Sequence, residues 1–487
     1  MRARKEQFPI SKAVGRSNLM QTDSQGDSPI PEERPWPRWQ LFAFRYVLLH
    51  YLLYAFPGPI GSLIQTITGG LELCGLDVSK APWSWLGAPL SWVERFWQWL
   101  TTTMGALGVA PYEVIHQRTG SSDTGAAYAQ LVFIVAVSLA GAVIWSLLAR
   151  ARAYPRLGRW LHLVVRFDLA FTLFGYGFDK FYGGQFGELS LSRLTQEIGD
   201  TWPMTMVGTF MQASKPYELF GGTFEVLGGI LLLHRRTALL GACAAIGTMI
   251  NVCALNWLYG VPVKQYSTHL LLYGFGLLAP FLPQLVAVFI RNRPSQPIDL
   301  RVVKSARAGR VLLGLGIAWV AVYVSETHLQ GVKPKPWFKD FERSALYGLW
   351  TVESMALDGK EVPMTDSTRW RDFAIDRGTT AWTRELTGKR RYFELKWDDA
   401  TGIAQVKERG ATGGAAPWTC ERGTKVVKGD APLLLHNEDR GKKVAVKRRT
   451  LLLKGKWDGH DLELQTVEKV FRLQTGFRLR QELPDLW

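Results

Sequence analysis

Charged and amide side chains lie in or beside long apolar segments between Arg166 and Asn256, where a plain membrane anchor would carry none. A charge near the middle of a bilayer costs at least ~2.5 kcal/mol even on lenient insertion scales, so such residues normally face the interior of a helix bundle. The sequence therefore predicts a polar cluster inside a membrane bundle. Its members are Arg166, Asp168, Asp179, Lys180, Glu218, Glu225, Asn251 and Asn256.

Two of these carboxylates have the spacing of a site. Glu218 and Glu225 are seven residues apart, so both lie on one face of a helix, and nearby glycines let a neighbouring helix approach closely. In the predicted topology, several polar residues lie near the outer surface of the membrane, and Glu225 and Asn251 lie deeper in it. Together they would line a polar funnel that opens to the outer surface. We expect this funnel to bind a ligand. The predicted ligand-binding residues are Lys180, Glu218, Glu225, Asn251, Asn256, Lys264 and His269.

The alternative is that the polar residues hold the bundle together, since interhelical polar contacts are common and contribute ~0.6 to 2 kcal/mol each. Structural roles are predicted for Arg166, Asp168 and Asp179. Tyr46, His50 and Tyr54 form a further stripe at a spacing of four. The histidine could carry protons or bind a metal, although a hydrogen-bonded packing role is the commoner one. No paired-histidine motif appears, so no metal site is predicted. P-loop, G-x-S-x-G and Rossmann motifs are absent from the sequence as well.

Seven apolar segments are candidates for membrane-spanning helices, which need about 20 residues each. Basic residues cluster in alternate connections, which places the N-terminus in the cytoplasm and the C-terminal part outside an inner (cell) membrane. The connection 58–125 is rich in tryptophan and is predicted to lie at the headgroups of the outer surface, with a buried re-entrant helix as the alternative. The predicted spans run from about Trp39 to Phe56, Tyr128 to Ala149, Leu161 to Tyr182, Tyr217 to Leu233, Thr237 to Leu258, His269 to Ile290 and Val311 to Val324.

The last third of the chain is polar and alternates apolar with polar residues in short runs. About eight strand candidates follow Ala345, and Asp358-Gly359 and Asp458-Gly459 are hairpin turn signals. Such a pattern predicts a small antiparallel β-barrel. The fold class is therefore a multi-pass α-helical membrane protein followed by an extracytoplasmic antiparallel β-barrel.

Composition adds three expectations. The net charge of +16 does not indicate a nucleic-acid partner, because the basic residues cluster at the ends of apolar helices. The four cysteines contain no C-x-x-C pair, which argues against thiol-disulfide chemistry, and a disulfide between Cys74 and Cys420 stays an open alternative. The segment 1–35 is basic and lacks an apolar core, so it is predicted to be a disordered cytoplasmic tail rather than a signal peptide.

The helical part resembles the DoxX-like membrane family. The resemblance rests on FGYGFDKFYGGQF and ELFGGTFEVLGGILLLHRRTALLGA, with Arg166, Gly177 and Lys180 matching one helix and Glu225, Gly228 and Gly229 the next. TGSSDT and NWLYGVPVK are similar to segments of larger DoxX-like proteins that end in a soluble barrel. The resemblance implies a four-helix core over 161–290. Some members are subunits of quinone-linked oxidoreductases, so it also implies quinone as a cofactor.

The barrel resembles the lipocalin type, in which a G-x-W signature opens the first strand. Gly348 and Trp350 provide it here, and Trp350 receives a structural role. The resemblance implies that a late arginine stacks over that tryptophan by a cation–π contact. The candidates are Arg472, Arg478 and Arg480. The barrel could hold one small ligand or be filled with side chains.

These observations predict six segments. They are the tail 1–35, the first two spans with the Trp-rich loop 36–160, the core 161–290, a basic cytoplasmic link with the seventh span 291–330, a linker 331–344 and the barrel 345–487. Three functions remain. The first is binding of a lipophilic ligand, a quinone or lipid, at the outer leaflet, in its specific form as a quinone-linked redox subunit. The second is a non-catalytic scaffold whose barrel docks a membrane or extracytoplasmic protein, and the third is a transporter.

Overall fold

The computed structural model describes residues 35–55, 58–77, 88–106, 123–295, 298–303, 305–332, 343–411, 414–430 and 443–469. In these ranges a helical part precedes a β-barrel, as the sequence predicts. The predicted tail and most of the linker 331–344 lie outside the described residues. The helices are α1 (Arg38–Ala55), α2 (Gly58–Leu73), α3 (Ala88–Ala106), α4 (Gly125–Leu148), α5 (Pro155–Phe181), α6 (Leu191–Leu194), α7 (Pro203–Ala213), α8 (Lys215–Leu233), α9 (Ala238–Leu258), α10 (Lys264–Leu278), α11 (Leu282–Leu285) and α12 (Ala306–Val332).

Five helical segments of the described chain are long and apolar enough to cross a membrane. They are α4, α5, α9, the segment Lys264–Ile290 that contains α10 and α11, and Ala306–Leu329 of α12. Helices α1 and α8 occupy the places of the first and fourth predicted spans but are not among these five. Polar residues lower the mean hydropathy of both helices. Helix α1 contains Arg38, Arg45 and His50, and helix α8 contains three charged residues. The count of seven spans therefore stays a prediction.

Two spans are longer than predicted. Helix α5 begins at Pro155 rather than at Leu161, with the proline in the first turn, where its missing N–H costs nothing. Helix α12 runs from Ala306 to Val332, beyond the predicted Val311–Val324. Both additions are polar helical turns at the ends of apolar spans. A search for apolar segments identifies only the middle of such helices.

The Trp-rich stretch predicted to lie at the headgroups contains helices α2 and α3. Trp319 of α12 donates a hydrogen bond from its indole Nε1 to Thr66 Oγ1 of α2 at 3.1 Å. The ring of Trp97 on α3 meets Phe133 of α4 edge-on, with centroids 6.1 Å apart. Part of this stretch thus packs on the spans, whereas Trp92 is exposed.

Small residues bring α5 and α8 into close contact. A Cβ atom on Gly222 would lie 3.0 Å from the carbonyl oxygen of Gly177, and one on Gly229 would lie 3.0 Å from that of Ala170. Because these neighbours are backbone atoms, no side-chain movement could make room for a larger residue. The two helices run antiparallel with their backbones in contact, as the glycine spacing predicts.

Nine strands make one antiparallel sheet in the C-terminal part. Each strand from β3 onward pairs with the next, and β1 pairs with both β3 and β9, which closes a barrel of eight strands. The short β2 pairs only with the end of β1. The strands are β1 (Gly348–Leu357), β2 (Lys360–Glu361), β3 (Trp370–Ile375), β4 (Thr380–Glu385), β5 (Arg390–Asp398), β6 (Ile403–Glu408), β7 (Ala416–Asp430), β8 (Lys443–Trp457) and β9 (His460–Lys469).

Both predicted hairpin turns are confirmed. Asp358-Gly359 joins β1 to β2 and Asp458-Gly459 joins β8 to β9, and all four residues have positive φ between 49° and 86°. Two consecutive residues in this region form the tight turn that matches the twist of paired strands. Asp-Gly is among the few pairs that adopt it readily.

The barrel interior is filled with side chains. Trp350, Trp370, Phe373, Phe393 and Trp418 are almost completely buried in one apolar cluster. Such packing provides the stability of the barrel and leaves its core without a lipophilic cavity of the lipocalin type. Of the two alternatives that the sequence left open, the filled barrel is the one observed.

A cation–π contact closes the base of the barrel, with a different arginine from those expected. The guanidinium of Arg449 on β8 lies 5.2 Å from the ring centre of Trp350 and pairs with Glu468 at 2.6 Å. The three arginines proposed from the sequence lie beyond Lys469 and outside the described residues. Arg449 was missed because it precedes the last strand, whereas we sought a late arginine only after it.

A short segment between α5 and α7 packs along the outside of the barrel. We call residues 188–195, which include α6, the docking segment. Leu191 at its centre is 1% exposed and packs against Leu349, Ala374 and Trp382 of β1, β3 and β4. This contact places the barrel at the end of the bundle where α5 ends.

Arginines of the barrel bind the backbone of the docking segment. Arg384 donates from Nη1 to the carbonyl of Thr195 at 3.0 Å, and Arg390 donates from Nη2 to the hydroxyl of Thr195 at 3.0 Å. Arg384 is itself held by Asp372, whose Oδ2 accepts from Nε at 3.0 Å. At the other end of the segment, Glu188 pairs with Arg343 at 2.7 Å. The segment is thus held by an apolar centre and polar ends.

The four cysteines are free thiols. Cys420 is buried in the barrel core, whereas Cys74 is exposed after α2, so the disulfide left open above is absent. Burial raises the pKa of the Cys420 thiol to about 12, because the thiolate would lose its solvation.

This difference predicts the pattern of thiol labelling. At pH 7.5 a hydrophilic maleimide should modify Cys74 readily and Cys420 roughly a thousandfold more slowly, since only the thiolate reacts and a raised pKa keeps the thiol protonated. Peptide mass spectrometry with time gives both rates. Cys74→Ser should abolish the fast reaction. Equal rates, or a mass increase of the intact protein on reduction, would contradict the assignment.

Candidate functional site

The predicted site residues do not converge on one funnel. They separate into an ion-paired group between α5 and α8, a capped helix start at α10, and a histidine–tyrosine group between α1, α5 and α10. Asn251 and Asp179 are exposed and belong to none of these groups.

The first group is a closed ion pair. Lys180 on α5 places its Nζ 2.8 and 2.6 Å from the two carboxylate oxygens of Glu225 on α8. Both side chains are buried, with 7% and 3% of their surface exposed. The glycine contact between α5 and α8 allows the pair to form, because Lys180 lies against Gly222. Because each charge is neutralised by the other, neither is left to bind a ligand. The pair is therefore better explained by a structural role than by ligand binding.

A second carboxylate on the same face of α8 is only half satisfied. Glu218 is fully buried, and its Oε2 accepts from Nζ of the half-exposed Lys215 at 2.8 Å. Its Oε1 has no hydrogen-bond partner in the described structure, nor has the amide nitrogen of Asn256, which is 6% exposed. Gly241 packs on Leu232 and Gly228 on Ala245, so this antiparallel register brings Asn256 to the level of Glu218. An unpartnered carboxylate oxygen and an unpartnered amide nitrogen therefore lie near the start of α8 and the end of α9.

Lys264 belongs to the start of α10 rather than to a ligand pocket. Asp123, from the stretch TGSSDT, accepts from the backbone N–H groups of Lys264 at 2.8 Å and Gln265 at 3.0 Å. Nζ of Lys264 lies 3.5 Å from the same carboxylate. A carboxylate at a helix N-terminus satisfies otherwise unpaired donors and interacts favourably with the helix dipole. Asp123 thus joins the start of α4 to that of α10.

Two histidines meet between α1 and α10. The Nε2 atoms of His50 and His269 are 3.2 Å apart, and their rings are parallel within 6°. The ring of Tyr54 stacks on His269 with centroids 3.5 Å apart, and Tyr46 stacks on the other face of the group against His50. His269 is buried, whereas His50 and Tyr54 are only partly buried.

The hydrogen bonds fix the tautomers of the neutral pair. Nδ1 of His269 lies 2.8 Å from the carbonyl of Gln265, and because a carbonyl only accepts, this nitrogen carries the proton. Nε2 of His269 therefore accepts, and Nε2 of His50 donates to it. That leaves Nδ1 of His50 as an acceptor, and it has no partner among the described residues.

Tyrosines extend this group towards α5. The Tyr51 hydroxyl donates to Asp168 Oδ2 at 3.1 Å, and its ring meets Tyr273 edge-on with centroids 5.3 Å apart. The Tyr273 hydroxyl is buried without a partner in the described structure. Asp168 is thus bound by a phenol of α1 rather than by Arg166, which lies two residues away along α5.

The sequence identified His269 as a ligand residue and placed His50 on a stripe, but did not predict that they meet. Asp123 was quoted only as part of a motif. The spacing within one helix reveals residues on one face, whereas contacts between distant helices depend on packing that one sequence does not display. Three or more His, Cys, Asp or Glu side chains arranged to hold a metal do not occur in the described ranges.

Comparison with known proteins identifies a relative. An uncharacterized protein of Bacillus subtilis (strain 168), YwoB, is 35% identical over 138 residues, which are 28% of this chain and 85% of YwoB. The chain belongs to the YwoB family. The matched region covers most of YwoB, whereas most of this chain has no counterpart in YwoB. The description of YwoB as uncharacterized names no activity.

No family model matches the chain, and no solved structure matches it. Membership of the YwoB family therefore adds neither a ligand nor a reaction to the geometry above. The DoxX-like and lipocalin-like resemblances stay predictions.

Proposed function

We propose that this member of the YwoB family binds the polar head of a lipophilic molecule at the His50–His269 pair. The observation that carries the proposal is the unpartnered Nδ1 of His50, a buried acceptor beside a partly exposed helix face. Buried polar atoms are normally hydrogen-bonded, so an orphan acceptor needs an explanation, such as a missing ligand. The aromatic rings of Tyr46 and Tyr54 offer stacking surfaces on both sides.

The pair can present either a hydrogen-bond acceptor or a donor to a ligand. When neutral, it offers the bare Nδ1 of His50, which accepts from a hydroxyl group. With one added proton, His269 carries hydrogens on both nitrogens and donates to Nε2 of His50, so that Nδ1 of His50 becomes the donor. The added proton thus reaches the outer edge of the pair without movement of either ring.

A quinone suits such a reversible site, because its carbonyls accept hydrogen bonds and the hydroxyls of its reduced form donate them. A bound quinone would supply reversible two-electron, two-proton chemistry. His50 would hold its polar edge, His269 would hold the exchanged proton, and Tyr54 would lie beside the ring. Lys180 and Glu225, being paired with each other, would keep α5 and α8 in place.

We further propose that the protein lies in the inner membrane with its N-terminus in the cytoplasm and its barrel outside. The support is the arrangement of charge. Arg235 and Arg236 mark one end of α8 and α9, whereas the barrel contacts the segment that follows the opposite end of α5. Basic loops normally remain in the cytoplasm.

Co-purification tests the ligand proposal. The full chain is purified in mild detergent from cells that contain quinone, and bound lipophiles are measured by mass spectrometry per mole of protein. We expect a near-stoichiometric quinone in the wild type and about a tenfold loss in both His50→Phe and His269→Gln, since each removes part of the hydrogen-bonded pair.

The matched control is His162→Gln, another buried histidine, whose Nε2 lies 3.3 Å from the Leu277 carbonyl far from the pair. It should retain the quinone. An equal content in all four proteins, or bulk lipid alone in the wild type, would refute the proposal.

A second candidate function is docking of a protein partner by the barrel. The filled interior favours it, because a barrel without a cavity offers only its surface for recognition. Photo-crosslinking from position 426, where Val426 is 66% exposed on β7, would test it in intact cells. One discrete crosslinked species supports docking, and its absence at this and neighbouring exposed positions counts against it.

A further inference from the structure

Arg166 is a buried cation without a counter-ion. Its side chain is 6% exposed, and its Nε has no hydrogen-bond partner within the described part of the chain. It forms no ion pair there, and the ring over which it lies is that of the adjacent Phe167, with 5.8 Å between the guanidinium carbon and the ring centre. Buried arginines are normally paired, so this one calls for an anion.

The position of Arg166 along α5 can be read from the glycine contacts. Gly177 faces Gly222, and Ala170 faces Gly229, so the antiparallel register brings Arg166 opposite the end of α8. The turn that follows carries the exposed Arg235, two residues beyond the position of α8 that this register sets opposite Arg166. Arg166 therefore lies level with the turn that joins α8 to α9.

No acid of the neighbouring elements neutralises this pair of cations. On α5, Asp168 is bound by Tyr51, and its place two residues along the helix puts it on a different face. His162, one turn before Arg166, directs its Nε2 to the Leu277 carbonyl of α10. The turn between α8 and α9 contributes His234, Arg235 and Arg236, none of them acidic.

We propose that Arg166 and Arg235 bind a phosphate group at the basic end of the bundle. A guanidinium offers paired N–H donors that match two phosphate oxygens, and a phosphate would supply the negative charge that these elements lack. The group could belong to a phospholipid headgroup or be inorganic phosphate. This site lies about four helical turns along α5 from Lys180, and it does not depend on the proposed quinone site.

Native mass spectrometry of the full chain in mild detergent tests this site. The probes are phosphatidylglycerol, diacylglycerol with the same acyl chains, and inorganic phosphate added as a competitor against an equal ionic strength of sodium chloride. We expect phosphatidylglycerol to bind the wild type about tenfold or more tightly than Arg166→Gln, and diacylglycerol to show no such difference. The affinity of Arg166→Lys for phosphatidylglycerol should lie between those of the wild type and Arg166→Gln, because an ammonium group keeps the charge but loses the paired donors.

Competition identifies the source of the phosphate. Displacement of the lipid by millimolar inorganic phosphate indicates a site for the free ion, and retention indicates a lipid headgroup. Either supports the proposal. Arg150→Gln, an exposed arginine at the same end, is the matched control and should bind as the wild type does.

The proposal is overturned if Arg166→Gln binds phosphatidylglycerol as the wild type does, or if Arg150→Gln weakens binding equally. Should Arg166→Gln fail to fold, Arg235→Gln gives the answer, because Arg235 is exposed and its replacement leaves the interior unchanged. Several-fold weaker binding in that variant supports the site, and unchanged binding rejects it.

Discussion

Replacing Lys180 by Met is expected to destabilise the protein by about 3–5 kcal/mol, because it leaves the carboxylate of Glu225 buried without its partner. Lys180 contacts both carboxylate oxygens and both side chains are buried, so little water is present to compensate. Equilibrium unfolding in mixed micelles with increasing SDS gives the free energy. Glu225→Leu should have an effect of similar size, since it leaves the ammonium group unpaired.

The double variant Lys180→Met/Glu225→Leu separates pairing from packing. With both charges removed, most of the lost stability should return, because an apolar pair of similar volume often replaces a buried ion pair at little cost. The control is Arg301→Met, whose pair with Asp299 is more than half exposed and should contribute about 0–1 kcal/mol. If the two single changes simply add in the double variant, the charges do not act as a pair.

Leu191→Asp should release the docking segment from the barrel. The leucine is almost fully buried between β1, β3 and β4, and a carboxylate there would lose its solvation without gaining a partner. Lost apolar burial and desolvation together should cost about 3 kcal/mol, roughly a hundredfold in the closed-to-open ratio. Trypsin cleavage after Arg193, within the segment, reports the open form, so its rate should rise by roughly that factor.

The control for this experiment is Met364→Asp, because Met364 is a 69% exposed apolar residue of the barrel and its replacement should leave cleavage after Arg193 unchanged. The mass of the released fragments identifies the cleaved bond. A wild-type cleavage rate in Leu191→Asp would mean that the segment is held by its polar ends alone.

Much of the architecture could be predicted because it depends on local patterns. The order of helices and strands, the close glycine contact between α5 and α8 and both Asp-Gly turns follow from spacing and backbone preference. The ends of α5 and α12 were harder to predict, because each helix continues beyond the apolar residues by which it was identified. Helices α1 and α8 are not apolar enough to be identified as spans by hydropathy, because polar residues inside the bundle lower their mean hydropathy.

The candidate site was predictable in its residue types and not in its partners. Lys180 and Glu225 were singled out and do meet, because two opposite charges in one apolar environment have few other ways to be satisfied. His269 and His50 were singled out separately, and Arg449, which lies over Trp350 in the barrel, was not among the arginines that were named. These contacts join elements that are far apart in the chain. The geometry of each contact depends on how all the helices or strands of that part pack together.

The place of the docking segment in the chain sets an order for biosynthesis. A ribosome produces Leu191 before helices α7 to α12 and long before Leu349, so this apolar side chain is made before its binding partner exists. Strand β1 itself is complete only when β9, the last described strand, pairs with it. The segment therefore gains its full binding surface only after β9 has been synthesised, and its burial reports that the barrel has closed.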